Sequence, residues 1–140
     1  MTAGAIYLET SSLLAWLFSE SRGADVRASL DAAKYVATSS LTLAEAERAF
    51  VRLEAEGALR SGDAQRYRGA LARARTQWLR LAISDEILAR ASAPFPVEPV
   101  RTLDAIHLAT ALSFTKALPD IRVLSLDRRI MQNAEALGIG

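Results

Sequence analysis

The segment Ala5-Ile6-Tyr7-Leu8-Glu9-Thr10-Ser11-Ser12 decides the class of fold. Its four apolar residues stop abruptly at Glu9, and three hydroxyl-bearing residues that can cap a helix follow at once. An apolar run this short, without polar alternation, is typical of a strand that is buried on both faces. The largely apolar residues 13–18 then predict a buried first helix. A buried strand that leads directly into a buried helix indicates an α/β protein.

The same alternation of strand and helix patterns continues along the chain. Further strands are predicted at residues 35–38, 79–83 and 122–126. Further helices are predicted at residues 21–33, 41–56, 61–76, from 84 onward, 102–116 and 127–137, with Gly57 ending one helix and Thr102 capping another. The proline-rich residues 94–99 predict a loop. The pattern therefore predicts a three-layer α/β/α sandwich around a central parallel sheet of four to five strands.

Length and composition limit the possible kinds of site. The 140 residues predict one domain, residues 1–140, and the 51% hydrophobic and 24% charged content is that of a globular protein. The absence of cysteine excludes disulfides and thiolate metal sites, and a single histidine, His107, excludes a His-rich site. Any metal would therefore be held by carboxylate oxygens, which favours Mg²⁺ or Mn²⁺.

No segment predicts contact with a membrane. No apolar run approaches the roughly 18 residues that span a bilayer. Residues 1–5 carry no positive charge before the apolar run, and Glu9 interrupts that run, so a secretory signal peptide is not expected. These features predict a soluble, cytoplasmic protein.

Positive charge is concentrated in residues 48–80, which we call the basic segment. Eight arginines lie there against Glu54, Glu56 and Asp63, a local net charge of +5, whereas the whole chain has a net charge of +1. Two interpretations remain open. The basic segment is either a solvated helical face or a surface that binds an anionic partner.

Four acids are predicted near the carboxyl edge of the sheet. Glu9 and Asp127 follow the first and last strands, and Glu45 lies in the helix after the second strand. Asp104 lies in the first turn of a helix whose other residues are mostly apolar. Ligands bind at this edge of parallel sheets. Taken singly, each carboxylate also fits a helix cap or a solvated charge.

Convergence of these acids would have a chemical consequence. Burying like charges together costs several kcal/mol unless a cation neutralises them. Mg²⁺ binds oxygen ligands, polarises phosphoryl oxygens and orients an attacking water. The chemistry that matches such a site is phosphodiester hydrolysis.

The sequence around these acids resembles PIN-domain proteins, and in particular VapC-like toxins of VapBC toxin–antitoxin pairs. The resemblance covers nearly the whole chain. It is carried by four blocks in matching order: Ile6-Tyr7-Leu8-Glu9-Thr10-Ser11, Leu43-Ala44-Glu45, Leu103-Asp104-Ala105-Ile106-His107-Leu108-Ala109 and Leu124-Ser125-Leu126-Asp127. The third block is the most specific of the four.

The resemblance implies a metal-dependent endoribonuclease that acts as a growth-inhibiting toxin. By position, the catalytic acids would be Glu9, Glu45, Asp104 and Asp127, and the ligands of Mg²⁺ or Mn²⁺ would be Glu9, Asp104 and Asp127. Ser11 and Ser125 would support them. The implied partners are an RNA substrate, a cognate VapB-like antitoxin and a second copy of the chain in a homodimer.

One departure from the family pattern keeps a second hypothesis open. The first acid is usually Asp, and Glu9 adds a methylene that moves the carboxylate outward, where a displacement of ~1 Å affects catalysis. The chain would then be a catalytically weakened scaffold that binds RNA or a partner protein. A third hypothesis, a receiver-type phosphoryl-transfer domain, needs a lysine beside the acids, and Lys34 and Lys116 are poorly placed for this role.

Four other residues have less specific interpretations. The apolar neighbours of His107 favour a structural role for its imidazole, as a hydrogen-bond partner within the fold. Arg101 fits two roles, steadying the acids or contacting phosphate. Trp16 and Trp78 are expected in the core or at an interface.

Overall fold

The computed structural model describes residues 4–140. Residues 1–3, at the start of the segment considered as a signal peptide, lie outside the described residues. The described chain has four strands: β1 (Ala5–Leu8), β2 (Tyr35–Ser39), β3 (Leu79–Leu81) and β4 (Arg122–Leu124). Its α-helices are α1 (Thr10–Leu17), α2 (Gly23–Ala32), α3 (Ser40–Ala55), α4 (Ser61–Ala74), α5 (Asp85–Ala91), α6 (Thr102–Phe114) and α7 (Arg128–Ala136). Within residues 4–140, none of these helices has the length and hydropathy that crossing a membrane requires.

All four strands are parallel, in the order β3-β2-β1-β4. The chain moves outward from β1 to β3 and then returns to add β4 on the other side of β1. Because crossovers between parallel strands are right-handed, this reversal places the later helices on the opposite face of the sheet. The strand order therefore changes direction between β1 and β4, and ligands bind at such a point, beyond the carboxyl ends of the strands.

Two apolar clusters cover the two faces of the sheet. Tyr7 and Val123 pack with residues of α6 and α7 on one face. Leu8 packs with residues of α1, α3 and α4 on the other. Neighbouring residues of a strand point to opposite faces, and both Tyr7 and Leu8 are fully buried. The structure thus confirms the predicted three-layer α/β/α sandwich with a parallel sheet.

The helix starts differ from the predictions at functionally important places. The first helix begins at Thr10 rather than at residue 13, and its N-cap is Glu9. The predicted cap of α6, Thr102, was wrong, because Arg101 holds that position without a side-chain hydrogen bond. Asp127 precedes α7 as its N-cap instead of forming its first residue.

Other element ends differ by a few residues. Strand β3 ends at Leu81 because its partner Ser39 is the last residue of β2. Strand β4 ends at Leu124, before the chain turns toward α7. The predicted end of α3 is confirmed, since Gly57 follows it with φ +75°, a conformation that favours glycine.

Candidate functional site

Glu9 lies at the carboxyl end of β1, and the residue is 5% exposed. Its Oε1 accepts hydrogen bonds from the hydroxyls of Ser11 and Ser125, each at 2.5 Å. Its Oε2 accepts a hydrogen bond from the backbone N–H of Ser11 at 3.1 Å, which caps α1. Three donors and the positive end of the helix dipole therefore compensate for the burial of this charge.

Ser125 joins the ends of β1 and β4. While its hydroxyl donates to Glu9, the same oxygen accepts the backbone N–H of Asp127 at 3.0 Å. The Ser11 hydroxyl oxygen accepts the backbone N–H of Leu126 at 2.9 Å. The two predicted supporting serines thus connect the loop that precedes α7 with the first turn of α1.

Asp104 and Asp127 share one guanidinium group. The Nε of Arg101 lies 3.4 Å from Oδ2 of Asp104, and an Nη of Arg101 lies 4.0 Å from Oδ2 of Asp127. The Oδ1 of Asp127 accepts the N–H groups of Arg129 and Ile130, which caps α7. Arg101 is therefore the cation that joins the acid of α6 to the acid beyond β4.

Glu45 belongs to a second cluster that extends into the core. Its Oε1 accepts hydrogen bonds from the hydroxyl of Thr10 and from Nε2–H of His107, both at 2.6 Å. The other ring nitrogen of His107, Nδ1, lies 2.7 Å from the hydroxyl of Tyr7. The imidazole is only 2% exposed. The predicted structural role of His107, as a hydrogen-bond partner, is confirmed.

The pKa values of Glu45 and Tyr7 shift in opposite directions. Burial alone would raise the pKa of Glu45, but the hydrogen bonds from His107 and Thr10 outweigh it and lower that pKa below its usual value. Burial raises the pKa of Tyr7 well above its usual value. Glu45 is therefore ionised and accepts hydrogen bonds, whereas the Tyr7 hydroxyl keeps its proton.

The structure brings the predicted site residues together in part. Arg101 connects Asp104 with Asp127, and Ser125 connects Glu9 with the backbone of Asp127. Within residues 4–140, no three His, Asp or Glu side chains approach closely enough to hold one metal ion. The shared four-acid site, with Glu9, Asp104 and Asp127 as metal ligands, therefore stays a prediction.

Asp104 and Asp127 are chemically suited to a divalent cation. Mg²⁺ is commonly bound by one or two carboxylates together with waters. These two carboxylates already lie around the same positive group, and the Arg101 side chain is 71% exposed. The donor set therefore fits Mg²⁺ or Mn²⁺ through two carboxylates.

Sequence reasoning missed the contributions of Thr10 and Tyr7. Thr10 appeared only as a possible cap, and Tyr7 as one apolar residue of a strand. The signal that could have found Tyr7 is the alternation along β1, which points its side chain toward α6, where His107 lies.

Neither lysine lies where the receiver hypothesis needs one. Lys34 precedes the amino end of β2, and its backbone N–H donates to Gly4. The Nζ of Lys116 lies 3.0 Å from Glu86, on the exposed surface. Both positions argue against a phosphoryl-transfer domain of that type.

Known proteins resemble this chain in sequence and in structure. Residues 6–136 match the model of the PIN domain. Ribonuclease VapC35 from Mycobacterium tuberculosis, in strains CDC 1551 and H37Rv, is 36% identical over 55 residues, which are 39% of this chain and 41% of that protein. The match thus spans about two fifths of the length of these curated relatives.

The structural comparison concerns the fold alone. A crystal structure of Mycobacterium tuberculosis VapC20, a toxin that cleaves the sarcin–ricin loop, superposes with a TM-score of 0.65. The superposition covers 96% of each chain at 17% sequence identity. At that identity the comparison shows that the two chains share an architecture.

Proposed function

Because this chain belongs to the PIN domain family, we propose that it is a metal-dependent endoribonuclease, the toxin component of a VapBC-type toxin–antitoxin system. The observation that carries the proposal is the pairing of Asp104 and Asp127 with a single guanidinium group. Two carboxylates from distant parts of the chain thereby face one positive charge, as they would face a divalent ion.

In the proposed site, Asp104 and Asp127 hold Mg²⁺ or Mn²⁺, with Glu9 as the third ligand and Glu45 as the fourth acid. The cation would supply positive charge that polarises a phosphoryl oxygen of the RNA backbone. Ser11 and Ser125 keep the Glu9 carboxylate oriented through their hydrogen bonds at 2.5 Å. His107 and Thr10 do the same for Glu45.

In this proposal, the role of Arg101 changes when a divalent cation binds to the site. In the protein alone, its guanidinium offsets the repulsion between Asp104 and Asp127. Its exposure leaves it free to rotate toward solvent when a cation takes over that task. The released guanidinium would then lie near the phosphodiester and bind it through paired N–H donors.

The proposed function implies particular partners and a cellular location. The substrate would be RNA, and a cognate VapB-like antitoxin would cover the acids and inhibit cleavage. We further propose that residues 1–140 act as one domain that pairs with a second copy in a homodimer. An RNA substrate and such an antitoxin would place the protein in the cytoplasm.

The test is a ribonuclease assay on purified protein with Mn²⁺ or with EDTA. We expect Mn²⁺-dependent cleavage by the wild type and no cleavage by Asp104→Asn, because the amide removes the negative charge and keeps the shape. Asp31→Asn is the matched control, since Asp31 is an exposed acid of α2. Undiminished cleavage by Asp104→Asn would defeat the proposed mechanism.

A specific observation favours a second candidate, a weakened scaffold that binds RNA or a partner without rapid turnover. The Glu9 carboxylate already accepts hydrogen bonds from Ser11 and Ser125, so its oxygens are less available to a metal. Glu9→Asp distinguishes the two candidates. A large gain in Mn²⁺-dependent cleavage would favour the weakened scaffold, whereas equal or lower cleavage favours the active nuclease.

A further inference from the structure

A hollow of about 350 Å³ lies beside β2 and β3, apart from the acids. It is lined by Thr38, Leu43, Arg75, Trp78 and Arg80. Thr38 and Arg80 are neighbours across the two parallel strands, so they form adjacent parts of its wall. The volume lies at the lower end of the range of pockets that hold small-molecule ligands.

Two cations of the hollow lack acidic partners. Within residues 4–140, neither Arg75 nor Arg80 has a carboxylate within 4.0 Å, whereas Arg68 of the same basic segment pairs with Glu47 and Glu54. Two guanidinium groups that line one hollow without a counter-charge favour the binding of an anion. Their planar N–H donors suit the paired oxygens of a phosphate.

Trp78 adds an aromatic surface to these charges. Its indole is partly buried and packs edge-on against Trp16, with ring centroids 6.4 Å apart. An indole held in place by a second ring can stack on a nucleobase without losing much conformational freedom. A wall that combines cations with an aromatic ring is typical of proteins that bind single-stranded nucleic acid.

The hollow lies close to the edge of the sheet that carries the acids. The Thr38 hydroxyl in its wall donates a hydrogen bond to the carbonyl oxygen of Leu8 at 2.8 Å, and Glu9 is the next residue. Arg80 lies one further strand away, so two strand spacings, or about 10 Å, separate it from Leu8. One RNA strand can therefore contact the hollow and the acids together.

We infer that this hollow is a nucleotide subsite for single-stranded RNA, in which Arg75 and Arg80 bind one phosphodiester and Trp78 stacks on the adjoining base. The inference rests on the proposed function, because it takes RNA as the substrate. Single strands are favoured over duplexes, since paired bases do not offer their faces to an indole. An acidic peptide would use the two cations and leave the indole without a role.

The test measures binding of a fluorescein-labelled single-stranded RNA to the full chain in EDTA. We expect the double variant Arg75→Gln/Arg80→Gln to weaken binding at least ten-fold and to lower the salt slope by about 0.7 for each lost phosphate contact. Arg52→Gln/Arg60→Gln is the matched control, because it removes the same charge from exposed positions of the basic segment outside the hollow. The control is expected to change affinity by less than three-fold.

Trp78→Leu tests the stacking contact. It should weaken RNA binding roughly ten-fold with little change in the salt slope, because stacking carries no charge. Trp78→Phe keeps an aromatic face and should recover most of the affinity. Circular dichroism and urea unfolding identify variants that are misfolded. If Arg75→Gln/Arg80→Gln is misfolded, the single variant Arg75→Gln replaces it in the binding comparison.

Three outcomes would overturn the subsite. The two double variants could lose RNA affinity equally, or the wild type could fail to bind RNA. A poly-glutamate peptide could also bind the hollow as tightly as RNA does. The proposed function is judged separately by cleavage with Mn²⁺. If the wild type cleaves RNA with Mn²⁺ and both double variants lose RNA affinity equally, the result contradicts the subsite and leaves the proposed function standing. Selective loss of binding in Arg75→Gln/Arg80→Gln without any cleavage by the wild type supports the subsite and contradicts the nuclease.

Discussion

At the scale of single residues, the buried imidazole of His107 has a hydrogen-bond partner at both ring nitrogens. The ionised Glu45 can only accept, so the ring carries its proton on Nε2 and donates it there. In the neutral ring, Nδ1 then accepts a hydrogen bond from the hydroxyl of Tyr7, whose raised pKa keeps the phenol neutral. Tyr7, His107 and Glu45 thus form one continuous hydrogen-bonded chain from β1 through α6 to α3.

Removing the Tyr7 hydroxyl should destabilise the protein. Tyr7→Phe leaves Nδ1 of the buried His107 without a donor, and we expect the free energy of unfolding to fall by about 1–3 kcal/mol. Urea unfolding followed by circular dichroism measures the change. Tyr35→Phe is the control, because Tyr35 is exposed, and its effect should stay below about 0.5 kcal/mol. Similar losses in both variants would contradict the buried hydrogen bond.

The ionisation of Glu45 should make stability depend on pH. Its pKa is lower in the folded protein than in the unfolded chain, so the unfolded state binds protons first as the pH falls. The contribution is complete above the usual Glu pKa of about 4.3 and is lost as the pH falls through the lower folded value. We expect the stability difference between wild type and Glu45→Gln to shrink from pH 6 to pH 3, as measured by urea unfolding. A constant difference would argue against a lowered pKa.

At the scale of elements, the site is a junction between β1 and β4. Both strands end at side chains that cap the following helices, Glu9 for α1 and Asp127 for α7. Ser125 ties the two junctions together through one hydroxyl group. Because the strands are adjacent and parallel, two distant caps occupy the same edge of the sheet.

Loss of the Ser125 hydroxyl should loosen this junction. Ser125→Ala leaves Glu9 with one donor fewer and the N–H of Asp127 without its acceptor, and we expect a loss of about 1–3 kcal/mol in stability. Ser113→Ala is the control, since its hydroxyl donates to the carbonyl oxygen of Ala109 in its own helix. Hydrogen exchange of residues 125–127 should accelerate in Ser125→Ala alone. Unchanged exchange there would show that the junction does not depend on this hydroxyl.

At the scale of the whole molecule, the two apolar clusters hold the helices against the parallel sheet, and Arg101 connects Asp104 of α6 with Asp127 beyond β4. A cation that binds only the folded chain stabilises it by mass action, by about 2.7 kcal/mol at one hundred times its Kd. The acids would thus link metal binding to the stability of the entire domain.

Mn²⁺ should therefore raise the thermal unfolding midpoint in a concentration-dependent manner, and EDTA should reverse the increase. Asp104→Asn should remove most of the increase, because it takes away one of the two carboxylates beside Arg101. Asp31→Asn should retain it, because that exposed acid lies on α2. Scanning calorimetry measures the midpoints. An equal increase in both variants would mean that Mn²⁺ binds elsewhere.

The sequence predicted the architecture well and the contacts of the site less completely. The short apolar run before Glu9 and the helix patterns after it were sufficient to predict the parallel three-layer fold. The hydrophobic period and the length of each strand or helix depend only on neighbouring residues. The residues that cap the helices were harder to predict from the sequence. Of the two interpretations of Glu9, a helix cap and a metal ligand, the structure shows the cap of α1. The cap position of α6 that the sequence predicts for Thr102 belongs to Arg101.

The sequence by itself determined the order of strands and helices and the arrival of several acids at strand ends, since these depend on neighbouring residues. Only the tertiary structure decided that Ser125 binds Glu9, that His107 joins Tyr7 to Glu45, and that Arg101 connects Asp104 with Asp127. Most of these partners lie dozens of residues apart along the chain. No local pattern encodes such contacts, because they form only when the sheet aligns its strands and the helices pack against it.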